Sequence, residues 1–540
     1  MDDRFEQIHT GGRALAVYRN RPRNLYEALA RTASHYPDRV AIIANDQRLT
    51  YRELLQRVDR LSEHLVHTFR LRKCDRIGLL FPNAVPFCEL LLASAKTGVI
   101  AVLLNTKLTH HELSYNIGHS GCTALFYDAA YKEKLEQLKA LFPQMLFIVS
   151  GGDGAGQVGE AAFESAVSSD MPLTVTGSVD ENHPCYLMYT SGTTGTPKGA
   201  LAVHRNVIHS AMNYIRVCGT TSEDTTLIAI PLFHVTGLIG QFIHMLMTGG
   251  TSVLLREYRT DDFIRTAIRH RVTFMFNVPS IYNLLLLRQE SERIDSLRVA
   301  LYGGEPMSPA TIAKLCALFP SLTLANAYGA TETSSPATIM PFGWRNDKIR
   351  SVGKPVPGAD IRIMKENGEP CRTDEVGELW ISGAMVISEY WSNDEANRNA
   401  FADGFWKSGD MAMMDNDGYV YIMDRKKDII NRGGEKIYSV EIETVLAGHP
   451  DLAEAAVVGV QDDIFGEQVK AYVVPKSGHT PDGEAIRAFV RTYLAEYKVP
   501  KFIEFVSAIP RNPGGKTLKQ MLRGGNSGGT GCGGTATNDE

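Results

Sequence analysis

No stretch constrains this chain more than Tyr189-Thr190-Ser191-Gly192-Thr193-Thr194-Gly195-Thr196-Pro197-Lys198-Gly199, which continues the short apolar run from Tyr186. Small residues let a backbone come close to an anion. Consecutive amides, four threonine hydroxyls, a serine hydroxyl and one ammonium then supply donors for phosphate oxygens. A mobile Gly/Thr surface loop is the plain alternative, but the density of hydroxyls together with Lys198 points to a phosphate cradle. It is not a Walker A element: Pro197 stands where that pattern needs glycine before the lysine, and Gly199 where it needs Ser or Thr after it.

A chain of 540 residues exceeds one ordinary core and is expected to divide. Helical and strand patterns alternate over much of the first 350 positions. Tyr51 to Thr68 carries apolar residues three and four apart, and Arg76 to Phe81 reads as a buried strand. The glycines of Gly151 to Gly159 suggest a surface connection between two α/β halves. From Gly353 to Met423, β-rich runs such as Ile361 to Met364, Glu378 to Ser382 and Tyr419 to Met423 alternate with Gly and Asp turns, as in a small antiparallel barrel or sheet. The charged Asp424-Arg425-Lys426-Lys427-Asp428 precedes a mixed helix and strand block ending near Leu522. The Gly-rich residues Gly524 to Glu540 read as a disordered tail. The expectation is an α/β chain with a large domain over 1–424, built from two α/β subdomains and a β-barrel-like one, and a small mobile α+β domain over 425–523.

A formal charge of −5 argues against a polyanion binder, so no nucleic acid partner is expected. The eight cysteines form neither a C-x-x-C pair nor a regular framework, which fits a reducing cytoplasm better than a disulfide scaffold or zinc cluster. Met-Asp-Asp-Arg-Phe-Glu lacks the basic and apolar segments of a secretory signal. No apolar stretch approaches the roughly 18 residues of a membrane span.

The phosphate-loop sequence resembles the adenylate-forming superfamily of acyl-CoA synthetases, luciferases and nonribosomal peptide adenylation domains. The resemblance continues, in the family's order, through Pro231-Leu232-Phe233-His234, Tyr302-Gly303-Gly304-Glu305-Pro306, Asn326-Ala327-Tyr328-Gly329-Ala330-Thr331-Glu332 and Gly377-Glu378-Leu379. It then runs through Trp406-Lys407-Ser408-Gly409-Asp410, Asp424-Arg425-Lys426-Lys427-Asp428 and Pro510-Arg511-Asn512-Pro513-Gly514-Gly515-Lys516. These motifs cover roughly residues 25 to 520.

The resemblance implies ATP, Mg²⁺ and coenzyme A as cofactors and a small carboxylic acid, aliphatic or aromatic, as substrate. Thr190, Ser191, Gly192, Thr193, Thr194, Gly195 and Lys198 would cradle phosphates. Gly304, Glu305 and Pro306 would face adenine and substrate, and Asn326, Ala327 and Tyr328 would frame adenine. Thr331 would contact the α-phosphate and Glu332 would hold Mg²⁺, which prefers oxygen ligands, although Thr331-Glu332 would also suit the start of a helix. Asp410 suits a ribose diol, since an ionised carboxylate accepts both hydroxyls. Arg425 would add a ribose or phosphate contact and Lys427 would be the hinge. Lys516 would neutralise charge as pyrophosphate departs.

His234 resembles a histidine lining the acyl pocket. Gly237 and Gly240 would leave space along that wall or serve helix packing. Further pocket positions fall near Thr236, Gly304 and Ser335. Gly433 and Gly434, within Asn431-Arg432-Gly433-Gly434-Glu435-Lys436, resemble a loop forming a pantetheine tunnel, and a similar run occurs in enzymes that load carrier proteins. Lys519 stands where the family often has arginine. The implied function is an acid–CoA ligase; a carrier-loading enzyme, a luciferase-like oxygenase and a nucleotide-binding sensor are the alternatives.

Overall fold

The computed structural model describes residues 4–10, 13–151, 160–168, 171–177, 179–190, 196–288, 293–344, 346–511 and 517–523. Ser191, Gly192, Thr193, Thr194, Gly195 and Lys516, most of the Gly151 to Gly159 connection, and the tail 524–540 lie outside the described residues. Contacts divide the chain into two units, Met1–Ile422 and Met423–Glu540.

Local chemistry explains the elements. Thr50 accepts the Glu53 amide and the Glu53 carboxylate accepts the Thr50 amide, a capping box that starts the helix Tyr51–Glu63. Its Leu54, Val58 and Leu61, spaced for one helical face, are buried. The helix passes into a π-helical turn over His64–Thr68, so the single helix expected from Tyr51 to Thr68 is two segments. The strands Arg76–Leu80, Ile100–Leu103 and Ala124–Asp128 are almost wholly buried, as expected of parallel strands covered on both faces.

The first unit holds two large sheets. One has seven strands in the order Lys198–Val203, Pro184–Thr190, Ile100–Leu103, Arg76–Leu80, Ala124–Asp128, Leu146–Ser150 and Glu160–Ala162, parallel apart from the hairpin at its edge. The other has nine strands, with a parallel centre of Thr323–Tyr328, Val299–Tyr302, Phe274–Asn277, Thr225–Ile228, Thr251–Leu254 and Val40–Ala44. A five-stranded sheet follows, with Asp360–Met364, Gly377–Ser382 and Phe405–Met414 antiparallel. The second unit is built on its own five-stranded sheet, dominated by the long pair Leu452–Asp462 and Gly466–Pro475, with the helices Ser439–Leu446 and Gly483–Tyr493. Among the described residues no helix is long and apolar enough to cross a membrane.

Three buried histidines make the first unit acid-sensitive. Burial pushes His204 and His209 down to about 3 and His244 down to about 4. The Tyr18 amide donates to His209 Nε2, which fits a neutral ring. Unfolded imidazoles titrate near 6.5, so unfolding below that pH takes up protons that the folded chain does not bind. Stability is therefore fully present above about pH 6.5 and is lost as pH falls toward the folded values, at a slope on the order of 4 kcal/mol per pH unit at most. The expected result is a melting temperature that drops steeply between pH 6.5 and 5; a flat profile there would contradict it.

Candidate active site

The hairpin of Pro184–Thr190 and Lys198–Val203 sets Thr190 directly opposite Lys198. Both ends of the Gly/Thr stretch are thereby held at one sheet edge. Tyr115 donates its hydroxyl to the Pro197 carbonyl at 3.3 Å. A neighbouring segment runs beside this hairpin: the Trp391 amide donates to the Gly199 carbonyl at 2.8 Å, and Ala200 bridges Tyr390.

The segments Tyr302 to Pro306 and Asn326 to Glu332 lie at and past the carboxyl ends of two parallel strands of the nine-stranded sheet, where open α/β sheets form their crevices. Tyr302 and Asn326 are paired neighbours at the ends of Val299–Tyr302 and Thr323–Tyr328. A Cβ at Gly303 would lie 2.2 Å from the Ala327 carbonyl oxygen, so only glycine permits this approach. Gly304, with φ +83°, turns the chain toward Glu305 and Pro306. Thr331 and Glu332 stand in a tight turn, closed by the Ala330 amide on Thr333 Oγ1 at 2.8 Å, and do not begin a helix. Tyr214 and Ser335 exchange a hydroxyl bond at 2.7 Å behind it.

Tyr328 donates its hydroxyl to Asp410 Oδ2 at 2.5 Å. Asp410 is 4% exposed, and its amide is held by Ser408 Oγ, which itself donates to the Leu379 carbonyl. The fold thus brings together Asn326, Ala327, Tyr328, Thr331, Glu332 and Asp410, two motifs distant in sequence.

Tyr390 is a further participant, for which no spacing or motif gave a signal. Its hydroxyl donates to Glu332 Oε1 at 2.8 Å and accepts Trp406 Nε1–H at 3.3 Å, and Lys198 Nζ lies 5.3 Å from its ring centroid. Burial, then the Glu332 charge, holds the phenol well above its ordinary pKa, so it stays a donor. Glu332 is a hard oxygen donor. Among the described residues no three His, Cys, Asp or Glu side chains converge to hold a metal. A single carboxylate suits Mg²⁺ when phosphates and water supply the other ligands.

His234 is exposed in a turn after the strand Thr225–Ile228, with its amide on the Pro231 carbonyl at 3.0 Å. Asn83, not foreseen, fixes this turn: its Nδ2 donates to the Ile228 and Ile230 carbonyls and its Oδ1 accepts the Leu232 amide. Gly237 and Gly240 open no space here. A Cβ at Gly237 would meet the Ile230 and Pro231 carbonyls at 2.5 and 2.6 Å, and one at Gly240 the Phe276 ring at 2.7 Å. Packing is what requires both glycines.

In the second unit, Gly433 and Gly434 have φ of +59° and +93° and join the strands Ile430–Arg432 and Glu435–Ile437, as in the primed turns of tight hairpins. The Gly433 amide donates to the Phe465 carbonyl at 2.8 Å, whereas no atom lies within 4 Å of a Cβ at Gly434. The Arg425 amide donates to Asp424, and Lys427 is exposed.

The family model described as AMP-binding enzyme matches residues 29–391, and that of the AMP-binding enzyme C-terminal domain matches 441–516. The chain belongs to the AMP-binding enzyme family. It is similar to a feruloyl-CoA synthase of Amycolatopsis sp, with 35% identity over 91% of this chain and 97% of that protein. The o-succinylbenzoate CoA synthetase of Bacillus subtilis, solved with its acyl-adenylate intermediate OSB-AMP, aligns with a TM-score of 0.82 and 30% identity over 93% of this chain and 98% of that chain. Its structure with ATP and magnesium ion aligns with a TM-score of 0.81 and 30% identity over 93% and 100%.

Within this AMP-binding enzyme, Tyr390→Phe deletes the donor to Glu332 together with the acceptor of Trp406 Nε1–H. Removing such an outer partner of a metal-binding carboxylate typically weakens metal affinity about 10- to 100-fold. If Glu332 holds Mg²⁺ as the resemblance implies, the Mg²⁺ concentration giving half-maximal adenylation should rise by about that factor, with activity recovered at high Mg²⁺; an unchanged Mg²⁺ profile would exclude this role.

Proposed function

We propose that this AMP-binding enzyme is an AMP-forming acid–CoA ligase acting on a carboxylic acid that carries an aromatic ring. The observation carrying the nucleotide part is the bond from Tyr328 to the buried Asp410 carboxylate, in the same motif as Glu332. A carboxylate there accepts ribose hydroxyls, and the aromatic face of Tyr328 lies against a purine. The acid class is supported by the feruloyl and succinylbenzoate relatives, whose acids both bear a ring.

In the first stage a carboxylate oxygen of the acid attacks the α-phosphorus of ATP. The bond from that phosphorus to the oxygen bridging to the β-phosphate breaks, and pyrophosphate leaves with the electron pair. Thr190 and Lys198 frame the phosphates, Thr331 donates to the α-phosphate, Asp410 holds the ribose, and Lys516 neutralises charge on the departing group. Glu332 would hold Mg²⁺, which supplies charge neutralisation on the phosphates. In the second stage the CoA sulfur attacks the acyl carbon, the acyl–phosphate C–O bond breaks, AMP leaves and the thiol proton passes to solvent. Lys427 is the pivot about which the small unit turns between stages, and Gly433 and Gly434 line the thiol's approach. Glu305, Pro306 and His234 border the acid. The seven cysteines among the described residues, all free thiols, support a reducing, cytoplasmic setting.

The test is AMP and pyrophosphate formation with ATP and Mg²⁺ and a panel of ferulate, 2-succinylbenzoate, benzoate and a long-chain fatty acid, with and without CoA. AMP and a CoA thioester from a ring-bearing acid is the expected result. Pyrophosphate exchange without CoA consumption would replace CoA by a carrier protein. Turnover of the fatty acid alone would overturn the acid class.

A further inference from the structure

Within the first unit, the helix His204–Cys218 carries a polar stripe where its neighbours are core. Asn206, Ser210 and Tyr214 are spaced four apart and so run along one face, and they are 2%, 0% and 0% exposed. Val207, Ile208 and Ala211 beside them belong to the apolar core. A polar group taken out of water into such surroundings costs stability unless it is hydrogen-bonded. All three find partners in the segments around Glu332. Asn206 Nδ2 donates to the Ala384 and Val386 carbonyls at 2.8 and 2.9 Å. Ser210 donates its hydroxyl to the Thr333 carbonyl at 3.4 Å, and Tyr214 shares a hydroxyl bond of 2.7 Å with Ser335.

Both segments held in this way bear on Glu332. Next to Val386, the Ile387 amide donates to the Glu332 carbonyl at 2.9 Å, and Tyr390 donates to the Glu332 carboxylate at 2.8 Å. On the other side, Ser334 and Ser335 have φ of +49° and +35°, a region that non-glycine residues keep only where their surroundings hold them. Their amides reach back to the Thr331 and Ala330 carbonyls at 3.0 and 3.2 Å, so the path of these two serines sets that of Thr331 and Glu332. Tyr214 is itself fixed, with its ring stacked on His244 and tilted against Phe276 at centroid distances of 5.7 and 5.8 Å. We propose that Asn206, Ser210 and Tyr214 form a rigid rail that positions the Thr331–Glu332 turn for the metal–nucleotide complex. This rests on the ligase reading, in which Thr331 contacts the α-phosphate and Glu332 holds Mg²⁺. Each of the three acts through another residue, so they are positioning residues.

The test measures ATP binding to the full chain by titration calorimetry, without acid so that nothing turns over, once with saturating Mg²⁺ and once with EDTA. The quantity read is the factor by which Mg²⁺ tightens ATP binding. In Tyr214→Phe that factor is expected to shrink about tenfold, as when an outer partner of a metal ligand is lost, while the Kd for ATP in EDTA stays within about twofold. Ser210→Ala, which deletes a longer bond, should shrink it about threefold. Asn206→Ala strips two buried carbonyls of their donor and should match Tyr214→Phe, which decides the matter if Asn206→Ala does not fold. Asn213→Ala changes the same helix off the stripe, where Asn213 Oδ1 accepts the Tyr18 hydroxyl, and should leave the factor as it is. An unchanged factor in Tyr214→Phe, or equal weakening of ATP binding with and without the metal, would reduce the stripe to helix packing and overturn the rail. A factor unchanged in Glu332→Gln would instead remove the metal reading of that site, and the rail with it.

Discussion

Acid-dependent ATP–pyrophosphate exchange is expected to fall about 10²- to 10³-fold in Lys516→Ala, the usual loss when one preorganised donor to a developing charge is deleted. Negative charge accumulates on the β- and γ-phosphates as the bond to the α-phosphorus breaks, and an ammonium at that point acts on the transition state more than on bound ATP. The loss should therefore fall on kcat rather than on the KM for ATP. No phosphoanhydride breaks in the second stage. Thioester formation from a supplied acyl-adenylate should accordingly stay within about threefold of the unaltered protein, which also shows that the variant is folded. Equal loss of both stages would refute this division of labour.

Asp410→Asn should produce the second large effect, on the KM for ATP. The Asp410 carboxylate, which in the proposed reading holds the ribose diol, sits 4% exposed with Tyr328 Oη 2.5 Å away. An amide of the same shape keeps one acceptor oxygen and turns the other into a donor facing hydroxyls. Charged hydrogen bonds contribute about 1.5–3 kcal/mol each, so a rise of about 10- to 100-fold in the KM for ATP is expected, with a much smaller change in kcat. Tyr328→Phe leaves the carboxylate in place without its internal donor, and a rise of about threefold is expected. A KM for ATP unchanged in Asp410→Asn would separate Asp410 from the nucleotide.

The motifs that announced this chemistry were those whose physics is local. Gly303 is required by the Ala327 carbonyl next to it, and Gly433-Gly434 by a hairpin turn with both φ positive. Such demands leave a short sequence signature. The buried strand that begins at Arg76 was equally readable. Gly237 and Gly240 were legible as small residues, but not for what they accommodate, because the Phe276 ring that fills the space at Gly240 comes from another strand. The same holds for Asn83, whose amide secures a turn far along the chain.

Sequence alone determined the α/β character, the order of the nucleotide motifs and the residue types at each, because periodicity, caps and turns are set by neighbours a few positions apart. Only the tertiary structure decided the pairings that give those residues their surroundings. Tyr390 and Glu332 are 58 positions apart, Tyr328 and Asp410 82, and Lys519 and Ser439 80. A hydroxyl or an ammonium carries no mark of its partner. Which carboxylate or hydroxyl it meets is settled by how strands pair and helices pack, and each of these contacts exists because the hydrophobic cores bring distant segments together.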